Sequence, residues 1–129
     1  MAFQIEPHQY TIQRAVSCCG VGLHTGRTVN LTINPAPANT GIQFLRSDLA
    51  ERPVIPARVE RVVHTTLATT IGEGAHTVST TEHLLAALRG FGVDNAVIDL
   101  DSHEVPIMDG SAGPFVRLLK TAGIIRQQA

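Results

Sequence analysis

From Thr28 to Asn34 the chain alternates without a slip, with Val29, Leu31 and Ile33 on one face and Thr28, Asn30, Thr32 and Asn34 on the other. Successive side chains of a strand point to opposite faces, so this run specifies a sheet with one covered side and one wetted side. The covered side needs a second layer. Thr80 to Arg89 places Leu84, Leu85, Ala87 and Leu88 at helical spacing, with Gly90 to end it. A second apolar stripe of Phe115, Leu118, Leu119 and Ala122 closes at Gly123. Its helix is expected to begin around residues 109–114, where Asp109 is placed as a cap and Pro114 suits a first turn.

The remaining strands are shorter. Thr11 to Cys19 reads as one strand that runs into Gly20-Val21-Gly22-Leu23-His24-Thr25-Gly26, whose three glycines imply unusual backbone angles. Pro35 and Pro37 stop the alternating strand, and Gly41 to Arg46 supplies an antiparallel partner. A second group follows, from Ile55 to His64 and from Thr66 to Ile71, with a turn at Gly72-Glu73-Gly74 into Ala75 to Val78. Ala96 to Asp101 is a further strand, Glu104 to Ile107 a short edge piece, and Arg126 to Ala129 a polar tail or the start of a linker. Together these elements specify an α+β two-layer sandwich, two helices on one face of a mainly antiparallel sheet. Its 129 residues suit one domain.

Several function classes are excluded. A formal net charge of -1 without a Lys/Arg cluster argues against a nucleic-acid partner, as do four Phe, one Tyr and no Trp for base stacking. There is no transmembrane segment, since no apolar run approaches the roughly 20 residues a bilayer requires, and the amino terminus lacks the layout of a signal peptide. The two cysteines, Cys18 and Cys19, are neighbours without metal-ligand spacing, and a reducing cytoplasm fits them. No P-loop, G-x-G-x-x-G or G-x-S-x-G motif is present. Cys18 or Cys19 as a nucleophile would need a histidine brought close by the fold.

The best candidate for chemistry is the pair Glu82 and His83. Adjacent helical side chains point about 100° apart and rarely hold one ion together. One can ligate a metal while the other handles a proton on its water. The structural alternative is a capping box, Ser79-x-x-Glu82, with His83 as a surface residue. Six histidines are present, and none forms H-x-x-x-H or H-E-x-x-H with another. His8 reads as tail, His64 and His76 as surface strand residues. His24 stands in the glycine loop, where a ligand can approach closely or where the glycines simply make a turn. The acids Asp99, Asp101, Glu104 and Asp109 read as a solvated face rather than a divalent-ion site.

Five blocks in order carry a resemblance: Gly20 to Gly26, Pro56-Ala57-Arg58, Thr80-Thr81-Glu82-His83-Leu84-Leu85-Ala86-Ala87, Gly92-Val93-Asp94-Asn95 and Glu104 to Phe115. Together they resemble the zinc-dependent UDP-3-O-acyl-N-acetylglucosamine deacetylases of lipid A biosynthesis. The resemblance implies a hydrolase with a Zn2+ cofactor, His83 as a zinc ligand and Glu82 as the general base on the zinc-bound water. It also implies a fold of two similar α+β layers face to face, this chain matching only the amino-terminal one, with a small β insert at about 58–78. In that family Leu67 and Ala68 of the insert and His24 of the glycine loop would border the UDP-sugar acyl substrate.

The departure from the family is large. Its remaining zinc ligands, a histidine and an aspartate, and its acid histidine come from the second layer, and nothing in this chain matches them. The chain is therefore expected to act only with a carboxy-terminal half. The alternative is a standalone, non-catalytic binding or regulatory domain, whose apolar face would be covered by a homo-oligomer. A third arrangement shares a metal across a homodimer through His83 and a carboxylate such as Asp109.

Overall fold

The computed structural model describes residues 8–57, 62–64, 70–73 and 76–128. The first elements are β1 (Gln9–Ile12), β2 (Val16–Val21), β3 (Thr28–Pro35), β4 (Ile42–Arg46) and β5 (Val54–Pro56). Next come β6 (Val62–His64), β7 (Thr70–Glu73) and β8 (His76–Val78), then α1 (Glu82–Gly90). The last are β9 (Ala96–Leu100), α2 (Gly113–Ala122) and β10 (Ile124–Gln127). Strands in mainly antiparallel sheets with two helices make this an α+β fold. Among the described residues no helix is long and apolar enough to cross a membrane.

The alternating run forms β3, with Val29, Leu31 and Ile33 at most 1% exposed. It lies inside a five-stranded sheet of order β2-β3-β9-β4-β5. Gly41 to Arg46 is not its neighbour. The more apolar β9 takes that place, antiparallel to β3 (Ile33↔Ile98) and parallel to β4 (Phe44↔Ile98). A parallel pair requires a long crossover, and here the chain between β4 and β9 supplies it with β5 to β8 and α1. Ala96, Ile98 and Leu100 of β9 are buried with Phe44 of β4, Leu84 and Leu88 of α1, and Phe115 and Leu119 of α2 in one core. Burying each of these large side chains contributes about 1.5–3 kcal/mol.

The expected strand from Thr11 to Cys19 is broken at Gln13 to Ala15. β1 leaves the main sheet to pair with β10, Ile12 opposite Ile124 and Gln9 opposite Gln127. Arg126 and Gln127 thus belong to a strand rather than to a tail. The anchor of that strand is Asn95, 1% exposed. Asn95 Nδ2 donates to Gln9 Oε1 (2.9 Å) and Gln127 Oε1 (2.8 Å), and its Oδ1 accepts from the Gly41 amide (2.8 Å). Gln127 Nε2 in turn donates to Ala36 O (2.7 Å), and Thr11 Oγ1 to Asn95 O (2.6 Å).

Where Ile55 to His64 reads as one strand, β5 ends at Pro56 and β6 begins at Val62. β6, β7 and β8 form a separate three-stranded antiparallel sheet. Gly72 and Glu73 belong to β7 rather than to a turn. Gly72 has a φ of 103°, and any Cβ there would run into His76 O. The buried Arg46 ties this sheet to the larger one: its Nη1 donates to Thr77 O (2.9 Å), while Nε and Nη2 grip both oxygens of Asp48 (2.9 and 2.7 Å). A forked guanidinium–carboxylate pair is both stronger and more directional than a single contact.

The first helix starts later than the sequence suggests, and the second starts within the expected 109–114 stretch. The N-cap of α1 is Thr81, with no side-chain cap bond, so Glu82 is the first helical residue and the capping box does not form. Ser79 Oγ instead donates to His103 O (3.2 Å). The N-cap of α2 is Ala112, and Asp109 serves a turn before it, its Oδ1 accepting from Ser111 N (2.9 Å) and Ser111 Oγ (2.6 Å). Pro114 does lie in the first turn, and Gly123, at φ 74°, ends the helix.

Asn95→Ala leaves three partly buried partners unmatched and should lower stability by about 1–3 kcal/mol in urea denaturation, an unchanged midpoint counting against the anchoring role. The Arg46 guanidinium holds the Asp48 carboxyl below its ordinary value of 3.8, first through their hydrogen bond. A depressed folded value stabilises above the unfolded one and is lost as pH falls through the folded one. The stability advantage of wild type over Asp48→Asn should therefore be constant above pH 4–5 and shrink on acidification below about 3.8.

Candidate functional site

Glu82 and His83 are the first two residues of α1, and both are half-buried. The helix is fixed from behind by Leu84 and Leu88, at most 1% exposed, so its first turn is held rather than frayed. The first turn also presents amides without helical partners, where a carboxylate is favoured.

The approach to this turn is unusual. Thr80 adopts a φ of 60° and is 4% exposed. A β-branched residue in the left-handed region costs roughly 1–3 kcal/mol and persists only when its surroundings hold it there. Ser79, just before it, is clamped to the segment 103–105: Ser79 N donates to His103 O (2.7 Å) and Val105 N to Ser79 O (3.0 Å).

Between them lies Glu104, 0% exposed. Its Oε1 accepts from the His24 amide (2.8 Å) and the Thr80 hydroxyl (3.3 Å), and its Oε2 from the Thr25 amide (3.2 Å). A buried acid is tolerable only when its oxygens are supplied with donors. The carboxylate therefore joins the glycine loop to the lead-in of α1. The acids do not form one solvated face: Glu104 points inward, while Asp101 is exposed and accepts two bonds from Asn30 (2.8 and 2.9 Å). Sequence reasoning missed Glu104 as a structural centre. The available signal was an acid followed by the wholly apolar run Val105-Pro106-Ile107-Met108.

Of the three loop glycines only Gly26 has a left-handed φ, at 68°. Gly20 is in β2, where a Cβ would come within 3.0 Å of Met108 Sδ and of Pro106 Cβ. Gly22 closes the loop, its amide donating to Arg27 O (2.9 Å) and its carbonyl accepting from Gly26 N (3.0 Å). The loop's backbone is thus tied inward, and its side chains Leu23 and His24 are exposed.

Leu67 and Ala68 lie outside the described residues. His76 is an exposed strand residue bonded to Glu51 (3.1 Å). Burial, then the neighbouring Cys19, pushes the Cys18 thiol up, which removes it as a ready nucleophile. Among the described residues an open depression of about 480 Å³ lies beside β2 and α2, and neither Glu82 nor His83 lines it. No group of three or more His, Cys, Asp or Glu among the described residues can hold a metal ion. A catalytic zinc takes three protein ligands. The described residues thus do not make up such a site by themselves.

Residues 9–129 match the family model of LpxC, UDP-3-O-acyl N-acetylglycosamine deacetylase. Over 122 residues the chain is 59% identical to the UDP-3-O-acyl-N-acetylglucosamine deacetylase of Idiomarina loihiensis. Over 121 residues it is 54% identical to those of Methylococcus capsulatus and Cellvibrio japonicus. Each match covers 94% of this chain and 40% of the relative, so the chain spans about two fifths of the length of these curated proteins.

At Gly22 a Cβ would stand 2.5 Å from Thr25 Oγ1 and 2.7 Å from Glu104 Oε2. Gly22→Ala should therefore destabilise the chain by about 1–3 kcal/mol in chemical denaturation, and wild-type stability in that variant would refute the close fit.

Proposed function

Since the chain belongs to the UDP-3-O-acyl N-acetylglycosamine deacetylase family, we propose that it supplies the amino-terminal half of an enzyme that hydrolyses the N-acetyl group of UDP-3-O-acyl-N-acetylglucosamine in lipid A biosynthesis. The observation that carries this reading is the pairing of Glu82 with His83 in the first turn of α1, in a chain whose described residues offer no complete metal site.

In this reading Glu82 is the general base. It takes a proton from the attacking water as the water oxygen bonds to the acetyl carbon, the carbon–nitrogen bond breaks, and acetate leaves. The sugar nitrogen departs as an amine after receiving a proton from a group outside this chain. His83 would hold a zinc ion with two ligands from the carboxy-terminal half, and the ion when bound would supply Lewis-acid polarisation of the acetyl oxygen and a lowered pKa for water. Because Glu82 and His83 are adjacent in a helix their side chains diverge, so one can act on the proton while the other ligates.

The substrate contacts proposed for this half are His24 on its exposed loop and Leu67 and Ala68 of the 58–78 segment against the acyl or sugar part. Residues 1–129 act as one domain, and the carboxy-terminal half covers the half-buried Leu85, Val116 and Leu118 on the two helices. A cytoplasmic reaction is supported by the two unpaired thiols.

The test is zinc content and acetate release from this chain supplied with the carboxy-terminal half. Glu82→Ala should keep zinc and lose about 10²–10⁴-fold in kcat, whereas His83→Ala should lose both. Zinc binding without N-deacetylation in the wild-type pair, or full activity in Glu82→Ala, sinks the proposal.

A further inference from the structure

Three side chains assigned roles above stand on two segments far apart in sequence, His24 on the β2–β3 loop and Glu82 and His83 on α1. Both segments end on one buried carboxylate. Glu104 takes the amide protons of His24 and Thr25 and the hydroxyl proton of Thr80, two residues before Glu82. Among the described residues no ion pair involves Glu104. A carboxylate out of water and without a cation is a poor way to fill a core, since its desolvation is repaid only by the donors it meets. Those donors here are the loop and the strained Thr80, whose left-handed backbone needs holding.

We infer that Glu104 is a positioning residue, which fixes the His24 loop against the start of α1 and so sets the spacing between substrate-contacting and proton-transferring groups. This rests on the functional reading above for the roles of His24, Glu82 and His83. Glu104 itself touches no substrate: both oxygens are occupied by the protein. The Thr80 hydroxyl carries the hold to α1, whose first closed helical bond runs from the Leu85 amide to Thr81 O (3.0 Å). Ser79, on the same segment, receives the clamp from His103 and Val105, so the carboxylate and the backbone act on one short stretch.

Two measurements on the protein as its own gene encodes it decide the inference. Hydrogen exchange reads the hold directly. In Glu104→Gln the side-chain amide presents N–H to a position that needs an acceptor, so exchange at His24 or Thr25 should rise about 10-fold or more, whereas the Thr80 hydroxyl can still bond to either end of the amide. The Asn95 amide, which donates to Tyr10 O, should stay protected. Thr80→Val, which keeps shape and loses the hydroxyl, should free Leu85 and leave His24 and Thr25 protected, while Thr80→Ser behaves as wild type. Protected loop amides in Glu104→Gln, an unmoved Leu85 in Thr80→Val, or a uniform rise that includes Asn95 overturns the inference.

Turnover of the N-acetylated UDP-sugar, with the carboxy-terminal half present, reads the consequence. Glu104→Gln and His24→Ala should lose less together than the product of their separate losses in kcat/KM, because one acts through the other. Losses that multiply overturn the positioning role. Absence of any turnover in wild type defeats the functional reading alone, because the exchange measurement still decides whether Glu104 holds the two segments together.

Discussion

The Glu104 carboxylate is the constraint on which the rest of the site depends. It is fully buried, and its bonds draw two distant stretches of chain onto the segment after β9: the glycine loop between β2 and β3, through the amides of His24 and Thr25, and the lead-in to α1, through the Thr80 hydroxyl. A buried acceptor left without donors is costly, so these stretches cannot drift apart without exposing or orphaning it. Gly22 belongs to the same constraint. It has no side chain because Glu104 Oε2 and Thr25 Oγ1 occupy the space where one would stand.

A second polar centre, Asn95, performs the same service for a different region. It joins the β1–β10 pair to the start of β4 through side-chain amide bonds, and Arg46 joins β4 to β8. In each case the apolar core supplies the bulk of the stabilisation, being non-directional, while a buried polar group with satisfied geometry selects which strands meet. The core alone would accept several arrangements of strands this short. The three polar groups are specific to one.

Membership of the deacetylase family gives these constraints a purpose. Glu82 and His83 emerge at a helix start whose position is set by Thr80 and Ser79, and His24 emerges from a loop whose backbone is drawn inward. Among the described residues no group of three or more His, Cys, Asp or Glu could hold a metal ion, and the chain spans about two fifths of the length of its relatives.

Much of this was legible in the residues. Period-two alternation forecast β3 and its buried face, helical spacing forecast α1 and α2, and Gly123 forecast the end of α2, because these features depend on neighbours in sequence. The α+β class followed, as did the placing of Glu82 and His83 at a helix start. What the sequence could not decide were meetings between residues far apart. Nothing local tells β9 to enter between β3 and β4, turns Gln127 from a tail residue into a partner of Asn95, or moves Ser79 from a helix cap to a bond with His103. Glu104 looked like one acid among several on a wetted face. Its burial was decided only when the loop at His24 and the turn at Thr80 arrived with unpaired donors, and that requirement exists only in three dimensions.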